Sequence, residues 1–256
     1  MRKLGLSKAV PGGEQLFQRL YTRLGCNGRP PAFIVEYHPY TDLTHTIRLR
    51  EETAYVRLSD VMRDAPQTIL EATAAILLGR LYRRTPPQGL VDAYRAFSYS
   101  RPTRDQLLRL RQQRARRSEH RPEGTHHDLS PLFAQLNAQY FEGNLEQPRL
   151  GWSTRAWTNQ LGCFDPALRQ ILINKRLDHP AVPPYVVAYI LYHEMLHVKH
   201  PIRFARCRRE SHTPAFRKEE KRFADYDRAM KFLRRFPPAK LLNPLGSQNN
   251  VRSSDF

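Results

Sequence analysis

The chain has 256 residues, of which 40% are apolar, and a formal net charge of +18 with an isoelectric point near 10.3. This length suits one large globular unit or two small ones, and the charge favours polyanionic partners, nucleic acid first. The basic opening is followed by no apolar signal region, and the longest apolar run, "YVVAYILY", is too short to span a bilayer. Three scattered cysteines (Cys26, Cys163 and Cys207) predict free thiols and a cytoplasmic protein.

The first hundred residues repeat the pattern of the second half. "LFQRL" matches "LFAQL", "AYVRLSD" aligns with "RQILINK", and "AAILLGRLYRR" aligns with "VAYILYHEMLHVK", at offsets of 116, about 115 and about 114 residues. These matches indicate either a tandem duplication of a unit made of a helix, several strands and a second helix, or a coincidence between common apolar patterns. Residues 1–100 are predicted to be a degenerate, metal-free repeat or accessory α+β domain, because Leu78 or Gly79 and Tyr82 or Arg83 replace the histidines of the second half.

The segment 101–127 is rich in arginine and poor in apolar residues, which predicts a linker containing a short basic helix at "DQLLRLRQQRARR". Residues 128–240 are predicted to form one α+β domain, and 241–256 a disordered tail. This domain should begin with a helix capped by Ser130. The stretches "RLGWSTRAW", "LGCFD" and "RQILINKR" then predict a small antiparallel sheet packed with helices. A helix ending before Pro201 and one long helix from Thr213-Pro214 to Pro237 should follow.

The motif "HEMLH" at 193–197 is the strongest chemical signal in the sequence. Residues four apart lie on one face of a helix, so His193 and His197 could bind the same ion. Glu194 would then stand beside the open coordination position, where a carboxylate can act as a general base. Helical histidine pairs without any metal are also common, and a burial-driven packing role is the alternative.

A catalytic zinc site needs a third protein ligand. The metzincin pattern would require glycine at 200 and histidine at 203, but the sequence has His200 and Arg203. A glutamate on a later helix, Glu219 or Glu220, could serve. His212 is the stronger candidate, because it stands at the start of the next helix, and His200 is better suited to capping the end of its own helix.

Five segments between about 130 and 223 resemble the SprT-like (Spartan-related) family of zinc metalloproteases: "LFAQLNAQYFEGNL", "LGWSTR", "ILIN", "HEMLH" and "HTPAF". The resemblance implies one Zn²⁺ per chain, bound by His193, His197 and His212, with Glu194 as the base. It also implies protein substrates and an association with DNA. Thr213 replaces the glycine that is usual in the family's third-ligand segment.

Two segments contain most of the excess positive charge. Residues 203–235 hold twelve lysines or arginines against five acids (net +7), and residues 101–121 hold eight arginines against two acids (net +6). We expect nucleic acid to bind along these segments, with Trp157, Phe204, Phe216 and Tyr226 as candidate stacking surfaces or core residues. The sequence thus predicts a zinc metallopeptidase acting on proteins at nucleic acid. The alternatives are a zinc-stabilised nucleic-acid-binding module and a hydrolase of small substrates.

Overall fold

The computed structural model describes residues 9–115, 119–205 and 208–235. Within them the chain forms eight α-helices, two three-stranded sheets and a two-stranded sheet, which confirms the predicted α+β class. The chain divides into two compact units. One comprises Met1–Arg116 with Phe204–Arg209, and the other comprises Arg117–Arg203 with Glu210–Phe256.

The first unit begins with a helix, continues with three strands and ends with three helices. Its elements are α1 (Gly13–Arg23), β1 (Ala32–His38), β2 (Thr46–Arg50), β3 (Thr53–Ser59), α2 (Gln67–Tyr82), α3 (Gln88–Tyr99) and α4 (Arg101–Arg114). Strand β3 is central, pairing in parallel with β1 and antiparallel with β2. Alternate residues of β1 and β3, such as Phe33, Val35 and Val56, are buried in one core with side chains of α1 and α2. The sheet therefore has one face packed against helices.

The second unit contains the remaining helices and a second three-stranded sheet. Its elements are α5 (Leu129–Phe141), β4 (Arg149–Trp152), β5 (Gly162–Asp165), β6 (Gln170–Ile173), α6 (Pro184–Lys199), α7 (Pro214–Glu220) and α8 (Tyr226–Arg235). A two-stranded sheet of β7 (Arg203–Ala205) and β8 (Arg208–Glu210) stands between α6 and α7 in the chain order. Helix α6 is the centre of the core, with ten of its sixteen residues buried. It packs against α5, the sheet, α7 and α8.

The predicted antiparallel sheet of the second unit is wrong in one pairing. β5 and β6 form the expected antiparallel hairpin, but β4 pairs in parallel with β6, which makes β6 the central strand. The chain between β4 and β5 is held by the fully buried Asn174, whose amide nitrogen donates to the carbonyls of Trp157 (2.9 Å) and Gln160 (2.7 Å). This long, anchored connection lets β5 pair with the edge of β6 opposite β4. The periodicity of the strands alone does not indicate this strand order.

Two helix boundaries also differ from the prediction. The cap of α5 is Asp128, whose carboxylate accepts the Ser130 N–H at 2.9 Å, so the helix begins at Leu129 and not after Ser130. The single long helix predicted after Thr213 is interrupted between Glu220 and Tyr226. The N–H groups of Arg222 and Phe223 bond to carbonyls three residues back, and that of Ala224 donates to the Tyr140 hydroxyl. The turn places Phe223 against the rings of Tyr189 and Tyr192.

The predicted linker is helical over its first half. Helix α4 covers Arg101–Arg114, and the division between the two units falls after Arg116. Arg114 forms a two-pronged ion pair with Asp60, both bonds at 2.8 Å, and donates to the carbonyl of Tyr40. This part of the segment therefore belongs to the first unit. The predicted tail, 241–256, lies outside the described residues.

The two units share an order of elements. In each, a helix precedes three strands, the first and third strands pair in parallel, the second pairs antiparallel with the third, and a short 3-10 turn leads into a long helix. The long helices at the end of this order are α2 and α6. Among the described residues, no helix has both the length and the apolar content needed to cross a membrane.

Candidate metal centre

Three histidine side chains of the second unit converge on one point. His193 and His197 project from the same face of α6, and His212 directly precedes the N-cap of α7. Nε2 of His212 lies 3.3 Å from Nε2 of His193 and 3.2 Å from Nε2 of His197. The cap that positions His212 is Thr213, whose hydroxyl accepts the Phe216 N–H at 3.2 Å. The structure thus brings together the three residues that the sequence pattern and the resemblance selected.

The spacing of these nitrogens fits a zinc ion. With Zn–N bonds of about 2.0–2.1 Å, two nitrogens of a tetrahedral site stand roughly 3.3–3.4 Å apart. The two Nε2 separations of His212 are close to that edge length. His193 and His197 are half-buried and His212 is exposed, so the cluster opens to solvent on one side. Three histidines with one open side are the donor set of catalytic zinc sites.

Glu220 holds His193 in the orientation that metal binding requires. Its Oε1 lies 2.7 Å from His193 Nδ1 and also accepts the Tyr189 hydroxyl at 2.9 Å. Burial raises the pKa of Glu220, but the bonds to His193 and Tyr189 outweigh it and hold that pKa below its usual value. An ionised carboxylate can only accept, so the Nδ1–H of His193 is the donor of this bond, and Nε2 is the ring atom that faces the other histidines.

Glu219, the other glutamate considered as a ligand, faces away from the three histidines. Its Oε2 accepts Lys199 Nζ at 2.7 Å, and its Oε1 lies 3.2 Å from His200 Nε2. His200 is the C-cap residue of α6, in agreement with the capping role expected for it. Neither glutamate is part of the three-residue group that could bind an ion among the described residues.

Glu194 is buried beside the cluster, with 5% of its surface exposed. Burial raises the pKa of its carboxyl to about 7, although the electrostatic interaction with His193 and a hydrogen bond from the Phe164 N–H act in the opposite direction. Strand β5 makes room for this side chain. A Cβ added to Gly162 would lie 2.7 Å from Oε1 of Glu194, so any larger residue there would displace the Glu194 side chain. A carboxyl group with a pKa near neutrality can both accept and return a proton.

The ring of Phe216 packs beneath the histidines. It is fully buried, and its centroid lies 5.1 Å from that of His193, 4.7 Å from that of His197 and 4.9 Å from that of His212. Phe216 is therefore a packing residue of the metal centre and cannot stack on a nucleic-acid base. Tyr226 is also partly buried, against Tyr189 at 5.7 Å between ring centroids.

The burial of Phe216 agrees with the core alternative for that residue. Sequence reasoning missed three contributors to the site: Tyr189, Gly162, and Glu220 in its role behind His193. Tyr189 could have been found, since it precedes His193 by four residues and shares its helix face. Comparisons with family models, with curated proteins and with solved structures found no match for this chain.

Proposed function

We propose that the protein is a zinc-dependent metallopeptidase of SprT-like type that cleaves proteins associated with nucleic acid. The observation that supports it most is the buried carboxyl of Glu194 directly beside three histidines whose Nε2 atoms converge. The assignment to the SprT-like family is supported by the sequence resemblance of residues 130–223.

In the proposed reaction, zinc bound by the three histidines would polarise the scissile carbonyl and activate a water molecule. Glu194 takes the proton from that water on its carboxylate and later delivers it to the leaving amine nitrogen. Glu220 and Tyr189 keep His193 in one tautomer and one ring orientation. Gly162 leaves the space that Glu194 occupies.

A purely structural zinc site is less well supported. Structural sites are closed by four protein ligands, whereas within the described residues the group that could bind an ion contains three. A buried carboxyl beside the three histidines would also have no task in such a site. The exposure of His212 favours a large substrate over a small one, because small-substrate sites enclose most of their ligand.

Two observations support substrates that are bound to nucleic acid: the net charge of +18 and the two basic segments, 101–121 and 203–235. Not every arginine there is available, since Arg114 is paired with Asp60 and Arg228 with Asp225. The cytoplasm is our proposal for the location, on the ground of the three scattered cysteines.

We also infer that the two units arose by duplication and that the first is a degenerate copy. The shared order of elements and the nearly constant sequence offset support this. Leu78 and Gly79 of α2, which align with His193, are buried in the first unit's core, and Arg83 is the cap residue that ends the helix. None of these side chains is a zinc ligand.

The test is a zinc determination combined with a cleavage assay on the full chain. We expect one zinc per chain by elemental analysis. We also expect casein cleavage that a chelator abolishes and added zinc restores, measured with and without single-stranded DNA. A protein that binds zinc tightly yet cleaves neither casein nor a DNA-bound protein would support the structural alternative instead.

A further inference from the structure

The sheet of the first unit has a solvent-facing side opposite α1 and α2. Along β1 and β3 the residues between the buried ones point to this side, and Ile34 and Tyr55 are 44% and 45% exposed there. Ile34 and Tyr55 are partners in the strand register, so they form one contiguous apolar patch, and such exposed patches mark interaction sites. This surface, called the open face below, comprises Ile34, Glu36, Thr46, Arg48, Arg50, Tyr55 and Arg57.

The strand register places these side chains in rows. Tyr55 lies between Ile34 of β1 and Arg48 of β2, and the next row is Glu36, Arg57 and Thr46. Neighbouring strands are about 4.8 Å apart and successive rows about 6.7 Å apart. Tyr55 is therefore flanked by an apolar side chain on one side and a guanidinium group on the other.

The open face is positively charged. Arg48, Arg50 and Arg57 are all exposed, and none forms an ion pair with another residue in the described part of the chain. Glu36 is the one acid among the residues that line a shallow groove of about 500 Å³ on this face. Glu51 and Glu52 occupy the turn between β2 and β3, so the cationic surface ends at Arg50. Three arginines held close together without acidic partners attract an anionic ligand.

We propose that the open face binds single-stranded nucleic acid. One base stacks on the ring of Tyr55 against Ile34, and Arg48, Arg50 and Arg57 contact the neighbouring phosphates. Duplex DNA would satisfy the arginines but keeps its bases stacked inside, so it cannot use Tyr55. An acidic peptide could pair with the arginines but has no planar base to stack on the exposed Tyr55 ring and Ile34. The proposal concerns the first unit and holds whether or not the histidine site is catalytic.

The experiment is fluorescence anisotropy of the full chain with short labelled oligomers of thymidine, of uridine and of duplex DNA, over a range of salt. Tyr55→Leu keeps an apolar side chain but removes the ring, and Arg48→Gln combined with Arg57→Gln removes two charges. The matched control is Arg19→Gln combined with Arg23→Gln, two exposed arginines of α1, which packs on the covered side of the sheet. Circular dichroism checks that each variant is folded.

We expect Tyr55→Leu to weaken binding of a single-stranded oligomer by about fivefold or more, since stacking on one aromatic residue typically contributes at least that factor. Its effect on duplex binding should be smaller. Each phosphate contact contributes about 0.7 to the slope of log K against log salt for a single strand. The double variant Arg48→Gln, Arg57→Gln should therefore have a slope smaller by roughly 1.4. The control pair should reduce that slope by much less.

The proposal is overturned if neither single strand binds, or if both open-face variants bind within about twofold of wild type. It is also overturned if the control pair weakens binding as much as the open-face pair does, because the affinity would then come from diffuse charge. Sedimentation of the wild type supplies a further check. Self-association that Tyr55→Leu abolishes would identify the open face as a contact between copies of the chain and would contradict the proposal.

Discussion

Nδ1 of His193 lies 2.7 Å from Oε1 of Glu220, a residue 27 positions further along the chain. This contact joins α6 to the last turn of α7, the helix whose cap positions His212. A carboxylate behind a ligating histidine fixes the imidazole tautomer and raises the basicity of the ligand. Helix α6, which contains His193 and His197, is therefore connected through His193 to helix α7, which His212 precedes.

Glu220→Gln should weaken zinc binding by about 10- to 100-fold, the usual effect of losing a partner behind a metal ligand. The neutral amide accepts a hydrogen bond from Nδ1 less strongly than the carboxylate does, and its NH2 group can donate to Nδ1 instead, so the tautomer is no longer fixed. Competition with a fluorescent zinc chelator measures the affinity. Glu219→Gln is the matched control, since Glu219 bonds to Lys199 and not to a histidine of the cluster. Equal affinities for the two variants would show that the contact does not support the metal site.

His212→Ala should bind zinc far more weakly than His200→Ala. His212 Nε2 stands within 3.3 Å of two other histidine nitrogens, whereas His200 Nε2 lies beside Glu219. Elemental analysis after dialysis against a weak chelator measures the difference. Full zinc content in His212→Ala would mean that the third ligand is another residue.

Gly162→Ala should impair catalysis while zinc remains bound. The new Cβ would lie 2.7 Å from Oε1 and 2.8 Å from Cγ of Glu194, so the carboxylate must move away from its position. Overpacking of this kind also destabilises by about 1–3 kcal/mol. Gly89→Ala is the control, because a Cβ there meets no atom within 4 Å. We expect kcat to fall by about tenfold or more in Gly162→Ala only. Unchanged kcat in both variants would show that the space at Gly162 does not determine the position of Glu194.

Asp178→Asn should destabilise the second unit at neutral pH and much less in acid. The carboxylate of Asp178 accepts the N–H groups of Thr125, His126 and His127 at 2.6, 2.8 and 3.0 Å. Burial raises the pKa of Asp178, but these three bonds hold it below the usual value. A depressed pKa stabilises the fold above the unfolded-state value near 4, and the benefit disappears as pH falls through the folded-state value.

Urea unfolding followed by tryptophan fluorescence measures this effect, because Trp152 and Trp157 are the chain's two tryptophans and both lie in the second unit. A chelator in every sample removes the contribution of bound metal. We expect a loss of about 1–2 kcal/mol at pH 7 that shrinks below about pH 4. A constant difference between variant and wild type across this range would contradict the assigned role of the charge.

Local patterns in the sequence predicted much of the site. The four-residue spacing of His193 and His197 places both on one helix face whatever the rest of the fold, and Thr213-Pro214 marks the helix start that fixes His212. The position of Glu220 could not be predicted in the same way. Its contact with His193 depends on how α7 packs against α6 and on the interruption of the helix before Tyr226, and neither has a local signal.

The sheet illustrates the same limit. Alternating and apolar stretches located β4, β5 and β6 correctly, but the order of the strands depends on a buried side chain, Asn174, which bonds to residues 14 and 17 positions earlier. The close approach of Gly162 to the Glu194 side chain likewise arises only when β5 meets α6. Contacts between distant segments, and not local preference, decide these features.

Glu194→Gln tests the central claim most directly, because it changes the proposed base and none of the three histidines. The variant should keep one zinc per chain by elemental analysis and melt close to the wild-type temperature. Its casein cleavage should fall by at least about a hundredfold, the usual contribution of a general base. Cleavage by zinc-loaded Glu194→Gln at the wild-type rate would contradict the account.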